Sequence, residues 1–361
     1  MTRQSERLTR VRAEMAAQGV GLVALGPGAH MHWALGWHPH PDERPTLLLV
    51  GADAACAVVP SVNAEQFGAH AEVPLEVWTD EDGAEGAIAR AVERLGVPDR
   101  VALDETMRTD FALPLMAALP GAAPVYAGAV VGKLRMCKDE GEIAGLKASA
   151  LVNDRAMRAG FAAIRPGVTE LQVAQAIRDA FAAEGAAFGF ALCASGPNGA
   201  FPHHSTGARV LEAGDAVVLD IGAKLGDWPS DMTRMAAVGH APDGYDAVHA
   251  VVERALIAGL AAARPGVKAH VVDDAARGVI AEAGYGEYFV HRTGHGLGLE
   301  VHEPPWLTAT SDTVLQEGMV FSVEPGIYLP GRFGIRLEEI VVLRAGGPEI
   351  LSELPRTLAI L

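Results

Sequence analysis

Residues 211–220 read LEAGDAVVLD and residues 315–324 read LQEGMVFSVE. The two stretches align at an offset of 104 through a leucine, a glycine, an apolar run and a closing acid, so Asp220 answers to Glu324. Upstream the offset is 99: Arg165-Pro166-Gly167-Val168 returns as Arg264-Pro265-Gly266-Val267, and Gly185, Phe190 and His203 return as Gly284, Phe289 and His302. A short insertion separates the two blocks. One such match is chance, but an ordered series marks a duplicated unit. Apolar residues at three-to-four spacing predict a helix on either side of each RPGV turn. The apolar run that follows predicts a strand ending in an acid. This part of the chain is therefore expected to be α+β and internally duplicated.

Each of those strands should feed a hairpin. In VVLDIGAKLGDWPSDMTRM (217–235) a turn centred on Leu225-Gly226 sets Asp220 directly opposite Asp231, with Cβ atoms roughly 5 Å apart. In VEPGIYLPGRFGIRLEEIVVL (323–343) a longer loop around Pro330-Gly331 returns a strand carrying Glu338 and Glu339. Alternation lets only one of these two face the side of Glu324. Like-charged pairs at apolar strand ends are strongly destabilising unless something positive sits between them. A solvated surface hairpin explains one pair taken alone, but not two pairs brought to one interface by a duplication. HRTGHGLGLEVHEPP (291–305) adds His291, His295 and His302. Mixed carboxylate and imidazole ligands suit Mn, Co, Zn or Fe. Four carboxylates and one histidine are what a pair of neighbouring ions needs, so one of the three histidines is expected to be a ligand.

Composition sets the bounds. A chain of 361 residues is long enough for two domains, and its half-hydrophobic, one-fifth-charged make-up is globular. A net charge of −16 argues against nucleic acid, whose phosphates require clustered Lys and Arg. Cys56, Cys137 and Cys193 are odd in number and far apart, which fits a reducing compartment, here the cytoplasm. The N-terminal stretch reads as an amphipathic helix rather than a signal peptide. Phe111 to Gly132 carries no charge, but its three prolines and three glycines rule out a membrane span, and it reads as loops and short strands. Before it, GLVALG, TLLLVGADAACAVV, EGAIARAVERLGV and VALD alternate strand and helix patterns, with Thr46–Val50 and Cys56–Val59 as strands of one sheet. The expected organisation is a smaller α/β domain, 1–132, before a catalytic domain, 133–361.

Taken together, DIGAKLGDWPSDMTR, HRTGHGLGLEVHE, VEPGIY, GIRLEE and ASGPNGAFPHH resemble the pita-bread metallopeptidases, the group of Xaa-Pro aminopeptidases, prolidases, methionine aminopeptidases and metal-free creatinases. The resemblance covers Leu134 to the C-terminus. It implies Asp220, Asp231, His295, Glu324 and Glu338 as ligands of two divalent ions, manganese first, with cobalt or zinc as alternatives. Glu338 is preferred over Glu339 because it stands two after Arg336, where the family's R-x-E motif places its ligand. His203 and His302 resemble the histidines that contact substrate about the scissile carbonyl. His291 matches a histidine standing behind the ligands, and Tyr328 and Arg336 match residues lining the site. The implied chemistry is attack by a metal-activated water on an Xaa-Pro bond, with Glu324 handling the proton. The glycines beside His295 are read as leaving room for the ions. A homodimer is expected on resemblance alone.

The preceding domain resembles that of creatinase and favours the proline-specific branch, with Xaa-Pro dipeptidase slightly ahead of Xaa-Pro aminopeptidase. Several prolidases bind the substrate's free carboxylate through an arginine a few residues past the position of His302, where this chain has Trp306. HWALGWHPHPDERP (32–45) offers Arg44 for that role, on what reads as a Pro-rich loop with Trp33 in the core. A non-catalytic peptide-binding homologue and a metal-free amidinohydrolase rank lower, because all five ligand positions are intact.

Overall fold

A computed structural model describes residues 2–361. The chain divides into two compact units, Met1–Arg135 and Met136–Leu361.

The first unit is built on six strands: β1 (Leu22–Leu25), β2 (Leu47–Gly51), β3 (Ala55–Pro60), β4 (Leu75–Trp78), β5 (Arg100–Leu103) and β6 (Ala123–Tyr126). Their order is β4-β3-β2-β1-β5-β6, antiparallel from β3 to β1 and parallel at both edges. The two strands expected to share a sheet, β2 and β3, are neighbours. The amphipathic N-terminus is the helix Arg3–Gln18, capped by the Thr2 side chain.

Two expectations for this unit are corrected. The uncharged stretch 111–132 is not loops and strands alone, because Thr109–Ala117 is a helix with Pro114 inside it. Phe111 and Leu115, one turn apart, are both buried in the apolar core under the sheet, and that packing outweighs the hydrogen bond lost at Pro114. His32–Pro45 is likewise not all loop, since its first residues belong to the helix Ala29–Leu35. Trp33 is in the core as expected, with the Arg7 guanidinium 4.8 Å from its ring centre.

The second unit shows the duplication directly. Helices Glu170–Ala183 and Ala269–Glu282 occupy equivalent positions, each following an RPGV turn whose glycine has positive φ, +88° at Gly167 and +89° at Gly266. Gly167 donates its N–H to the Leu211 carbonyl as Gly266 does to Leu315, and the return bonds from Leu211 to Val168 and from Leu315 to Val267 are also matched. The helices Glu140–Ala163 and Tyr245–Ala262 precede the turns.

The strands of this unit are β7 (Ala187–Ser195), β8 (Ala216–Leu225), β9 (Trp228–Pro229), β10 (Met232–Ala237), β11 (Gly294–Gly296), β12 (Glu303–Leu307), β13 (Val320–Val323), β14 (Gly326–Leu329), β15 (Phe333–Arg336), β16 (Glu339–Arg344), β17 (Gly347–Ile350) and β18 (Ala359–Ile360). One sheet runs β18-β10-β8-β7 with β9 on β8, a second runs β12-β11-β13-β16-β17, and β14 pairs with β15.

The first hairpin corrects the expected register. Leu225 pairs with Trp228, so the turn is Gly226-Asp227 and Asp220 lies opposite Thr233. A two-residue turn with glycine at positive φ in its first place, +59° at Gly226, matches the twist of the strands it joins. Asp231 is therefore two positions along from Asp220's partner. Because side chains alternate with a period of two, it still faces the same side.

Candidate metal centre

The second hairpin places its acids by register alone. Val323 pairs with Glu339 and Gly326 with Arg336, and this continuous register sets Glu324 opposite Glu338 where β13 gives way to β14. Alternation turns Glu339 to the opposite face. There its carboxylate is buried against Arg234 at 3.0 Å and Arg356 at 3.0 Å.

The five expected ligands come together. Donor atoms of Asp220, Asp231 and Glu338 lie within 4.8 Å of one another, as do those of His295, Glu324 and Glu338, and those of Asp231, His295 and His302. Glu338 belongs to the first two groups. His295 Nε2 is 3.3 Å from Glu324 Oε1 and 3.6 Å from Asp231 Oδ2. Its Nδ1 lies 3.1 Å from the Gly296 carbonyl, which can only accept, so Nδ1 carries the proton and the Nε2 lone pair faces the acids.

The flanking glycines are explained differently from the expectation. A Cβ on Gly294 would collide with the Ser322 carbonyl, and one on Gly296 with the Pro304 carbonyl. It is the neighbouring strands β13 and β12, not the ions, that exclude side chains there.

Around this centre runs a chain of bonds from Arg336. Its Nε donates to Thr233 Oγ1 at 3.0 Å, Nη1 to the Tyr328 phenol at 2.7 Å and Nη2 to Asp220 Oδ2 at 2.6 Å. The Tyr328 hydroxyl in turn meets His291 Nε2 at 2.7 Å, while His291 Nδ1 faces the Arg292 carbonyl at 2.7 Å. Thr233 donates to Glu338 Oε2 at 2.9 Å, and Ser322 Oγ donates to Glu324 at 3.2 Å. Thr233 and Ser322 were not foreseen. Thr233 could have been found only from the true hairpin register, which puts it across from Asp220.

Electrostatics decide what the centre can hold. Burial, then the neighbouring acids Glu338, Asp220 and Glu324, holds the Asp231 carboxyl well above its usual range. Burial, then Glu324 and Asp220, does the same to Glu338. Burial pushes Glu324 up to about 7, with Arg336 opposing and Asp220 assisting. Burial and then His302 push His295 down to about 3, which keeps its imidazole neutral. Asp220 Oδ1 is buried with no protein donor. A neutral imidazole with its lone pair turned inward, four crowded carboxyls and an oxygen without a donor fit divalent cations.

The centre opens on a cavity of about 720 Å³ lined by Phe190, Leu192, His203, Arg292, Val301 and His302 among others, a size suited to a small peptide. His203 and His302 are both exposed on its wall. The ring centres of His302 and His295 are 4.2 Å apart. His204 is not available in the same way, because its Nε2 is 2.9 Å from Glu170. Arg44 belongs to the first unit, where its Nε and Nη2 are each 2.9 Å from a different oxygen of Asp80.

A duplicated α+β unit carrying overlapping carboxylate and imidazole groups at the floor of a peptide-sized cavity has the make-up of a metal-dependent hydrolase. Residues 144–345 match Metallopeptidase family M24, and residues 7–137 match the Creatinase/Prolidase N-terminal domain. The chain is 40% identical to "Probable dipeptidase PepE" of Mycobacterium bovis over 99% of its own length and 96% of that protein's. The crystal structure of dipeptidase PepE from Mycobacterium ulcerans superposes with a TM-score of 0.94 at 38% identity, covering 99% of this chain and 98% of that one. The recombinant prolidase of Thermococcus sibiricus does so with a TM-score of 0.92 at 31% identity over the full length of both. The chain belongs to metallopeptidase family M24, with a creatinase-type N-terminal domain before a pita-bread domain. It is a peptide hydrolase of the metal-dependent kind, and among the described residues no helix is long and apolar enough to cross a membrane.

Proposed function

We propose that this chain is an Xaa-Pro dipeptidase working with two divalent cations, manganese first and cobalt or zinc after it, held by Asp220, Asp231, His295, Glu324 and Glu338. The observation that carries this reading is the sharing of Glu338 between two donor groups, which lets one carboxylate serve two adjacent ions. Bound ions supply Lewis-acid polarisation of the peptide carbonyl and lower the pKa of a water beside it. Glu324, on the cavity wall, would accept a proton from the attacking water and return it to the leaving proline nitrogen. His203 and His302 donate hydrogen bonds to the carbonyl oxygen as negative charge builds on it. Arg336, with Tyr328 and His291 behind it, holds Asp220 in place while Thr233 orients Glu338. Phe190, Leu192 and Val301 keep the cavity apolar beside these groups.

The working form is a homodimer in the cytoplasm, with a smaller domain, 1–132, preceding the catalytic domain, 133–361. The three cysteines are free, Cys56 and Cys193 buried, as suits a reducing compartment. Light scattering of the purified protein checks the dimer.

The deciding experiment is a panel of Xaa-Pro dipeptides, Xaa-Pro tripeptides and Met-initiated peptides with Mn, Co and Zn. Preferential cleavage of the dipeptides, about two metal equivalents per chain and loss of activity with a chelator are expected. Cleavage of the tripeptides alone would establish instead the second reading, an Xaa-Pro aminopeptidase, which Trp306 in place of a basic residue favours. No cleavage by metal-loaded protein would leave a peptide-binding homologue.

A further inference from the structure

Two arginines line the cavity, and they are placed differently. Arg336 has its donors taken by Thr233, Tyr328 and Asp220. Arg292 is half-buried, and among the described residues its side chain makes no ion pair and no hydrogen bond. Its guanidinium carbon instead lies 4.4 Å from the ring centre of Trp306. That stacking holds the long side chain in one place without using an N–H donor, so the planar fork stays free to bind. An acidic partner would have filled the fork, as Asp80 fills that of Arg44. A second cation in place of Trp306 would have repelled it. The charge is also felt toward the reacting end of the cavity, where burial first and Arg292 second lower the His302 pKa.

We propose that Arg292, laid on Trp306, receives the free C-terminal carboxylate of the substrate, which selects peptides that end at the residue after the cleaved bond. The proposal rests on the Xaa-Pro reading above and replaces Arg44 in that role. A guanidinium in a half-buried wall binds a carboxylate through two parallel hydrogen bonds, and this makes it a reader of planar anions rather than a diffuse attraction. Trp306, where a basic residue was sought, is then the platform for the cation and not its substitute.

The test compares Ala-Pro, Ala-Pro amide and Ala-Pro-Ala on Mn-loaded wild type, Arg292→Ala, Arg292→Lys, Trp306→Leu and Arg44→Ala, with melting curves to confirm folding. The wild type should favour the free acid over its amide by roughly 10- to 100-fold in kcat/KM, the range of a charge-assisted contact. In Arg292→Ala that ratio should fall to about one, mainly through KM. Arg292→Lys should keep part of it, and Trp306→Leu should lose part of it. An unchanged ratio in Arg292→Ala, an equal loss on all three peptides, or collapse of the ratio in Arg44→Ala alone would each overturn the proposal. A wild type that cleaves acid and amide equally would overturn it while the Xaa-Pro reading stands. A wild type that cleaves none of the three ends that reading and this one together.

Discussion

Arg336 Nη2 stands 2.6 Å from Asp220 Oδ2, while the other oxygen of Asp220 is buried and has no donor. One oxygen of the carboxylate is thus neutralised by protein and the other is not, while a donor atom of Asp220 lies within 4.8 Å of those of Asp231 and Glu338. This division explains how so much acid is tolerated in the folded chain before any cation arrives. Burial pulls the Arg336 guanidinium pKa down, but Tyr328, Asp220 and Glu324 outweigh it, so it stays charged.

Replacing Arg336 with alanine should lower kcat/KM by at least about 100-fold, since it strips an ion partner from a buried carboxylate and unties Thr233 and Tyr328. Arg336→Lys should recover little, because a single ammonium cannot reach three acceptors set about a planar fork. Steady-state kinetics on the two variants check this.

Glu338 and Glu339 are neighbours with opposite fates. Glu338→Gln should abolish tight metal binding with a small change in melting, measured by titration calorimetry and differential scanning calorimetry. Glu339→Gln should retain metal but lower Tm by roughly 10 °C, because it leaves buried Arg234 facing a neutral partner. The reverse pattern would show that the strand face has been misassigned.

The metal-free protein should carry a pH signature at Glu324. Its folded pKa, about 7, lies above the ordinary glutamate value of 4.5, so the folded state binds more protons between those values. The stabilising contribution is therefore complete below about 4.5 and is lost as pH rises through about 7. Metal-free Glu324→Gln, which cannot ionise, should melt like wild type at low pH and roughly 5 °C or more above it at pH 8. Parallel melting curves across this range would remove the argument.

Gly294→Ala should prevent normal closure of β11 on β13, since the new methyl meets the Ser322 carbonyl. Displacement of His295 follows, with loss of metal affinity and a lower Tm. Gly278→Ala, on an open helix surface, is the control and should be neutral or slightly stabilising.

Much of this was legible in the sequence because its signals are local. The RPGV turns, the apolar runs closing in an acid and the alternation that splits Glu338 from Glu339 depend on residues within one or two turns of the chain. The misreadings have local causes too. Leu225-Gly226 and Gly226-Asp227 are both acceptable turns by composition, and only the pairing of Leu225 with Trp228 decides between them. Pro114 reads as a helix breaker until the burial of Phe111 and Leu115 is counted.

By itself the sequence determined the duplication and the family, and through the family's motifs it implied the four acids and the histidine, because repeat offsets and motif order need no coordinates. Only the tertiary structure decided that Asp231 sits diagonal to Asp220, that Thr233 bridges Arg336 and Glu338, and that Arg292 lies on Trp306. The first depends on which of two turns the hairpin closes on, and the others join segments brought together only by packing, Thr233 lying about a hundred residues from Arg336 and Glu338. No local preference of the chain encodes that.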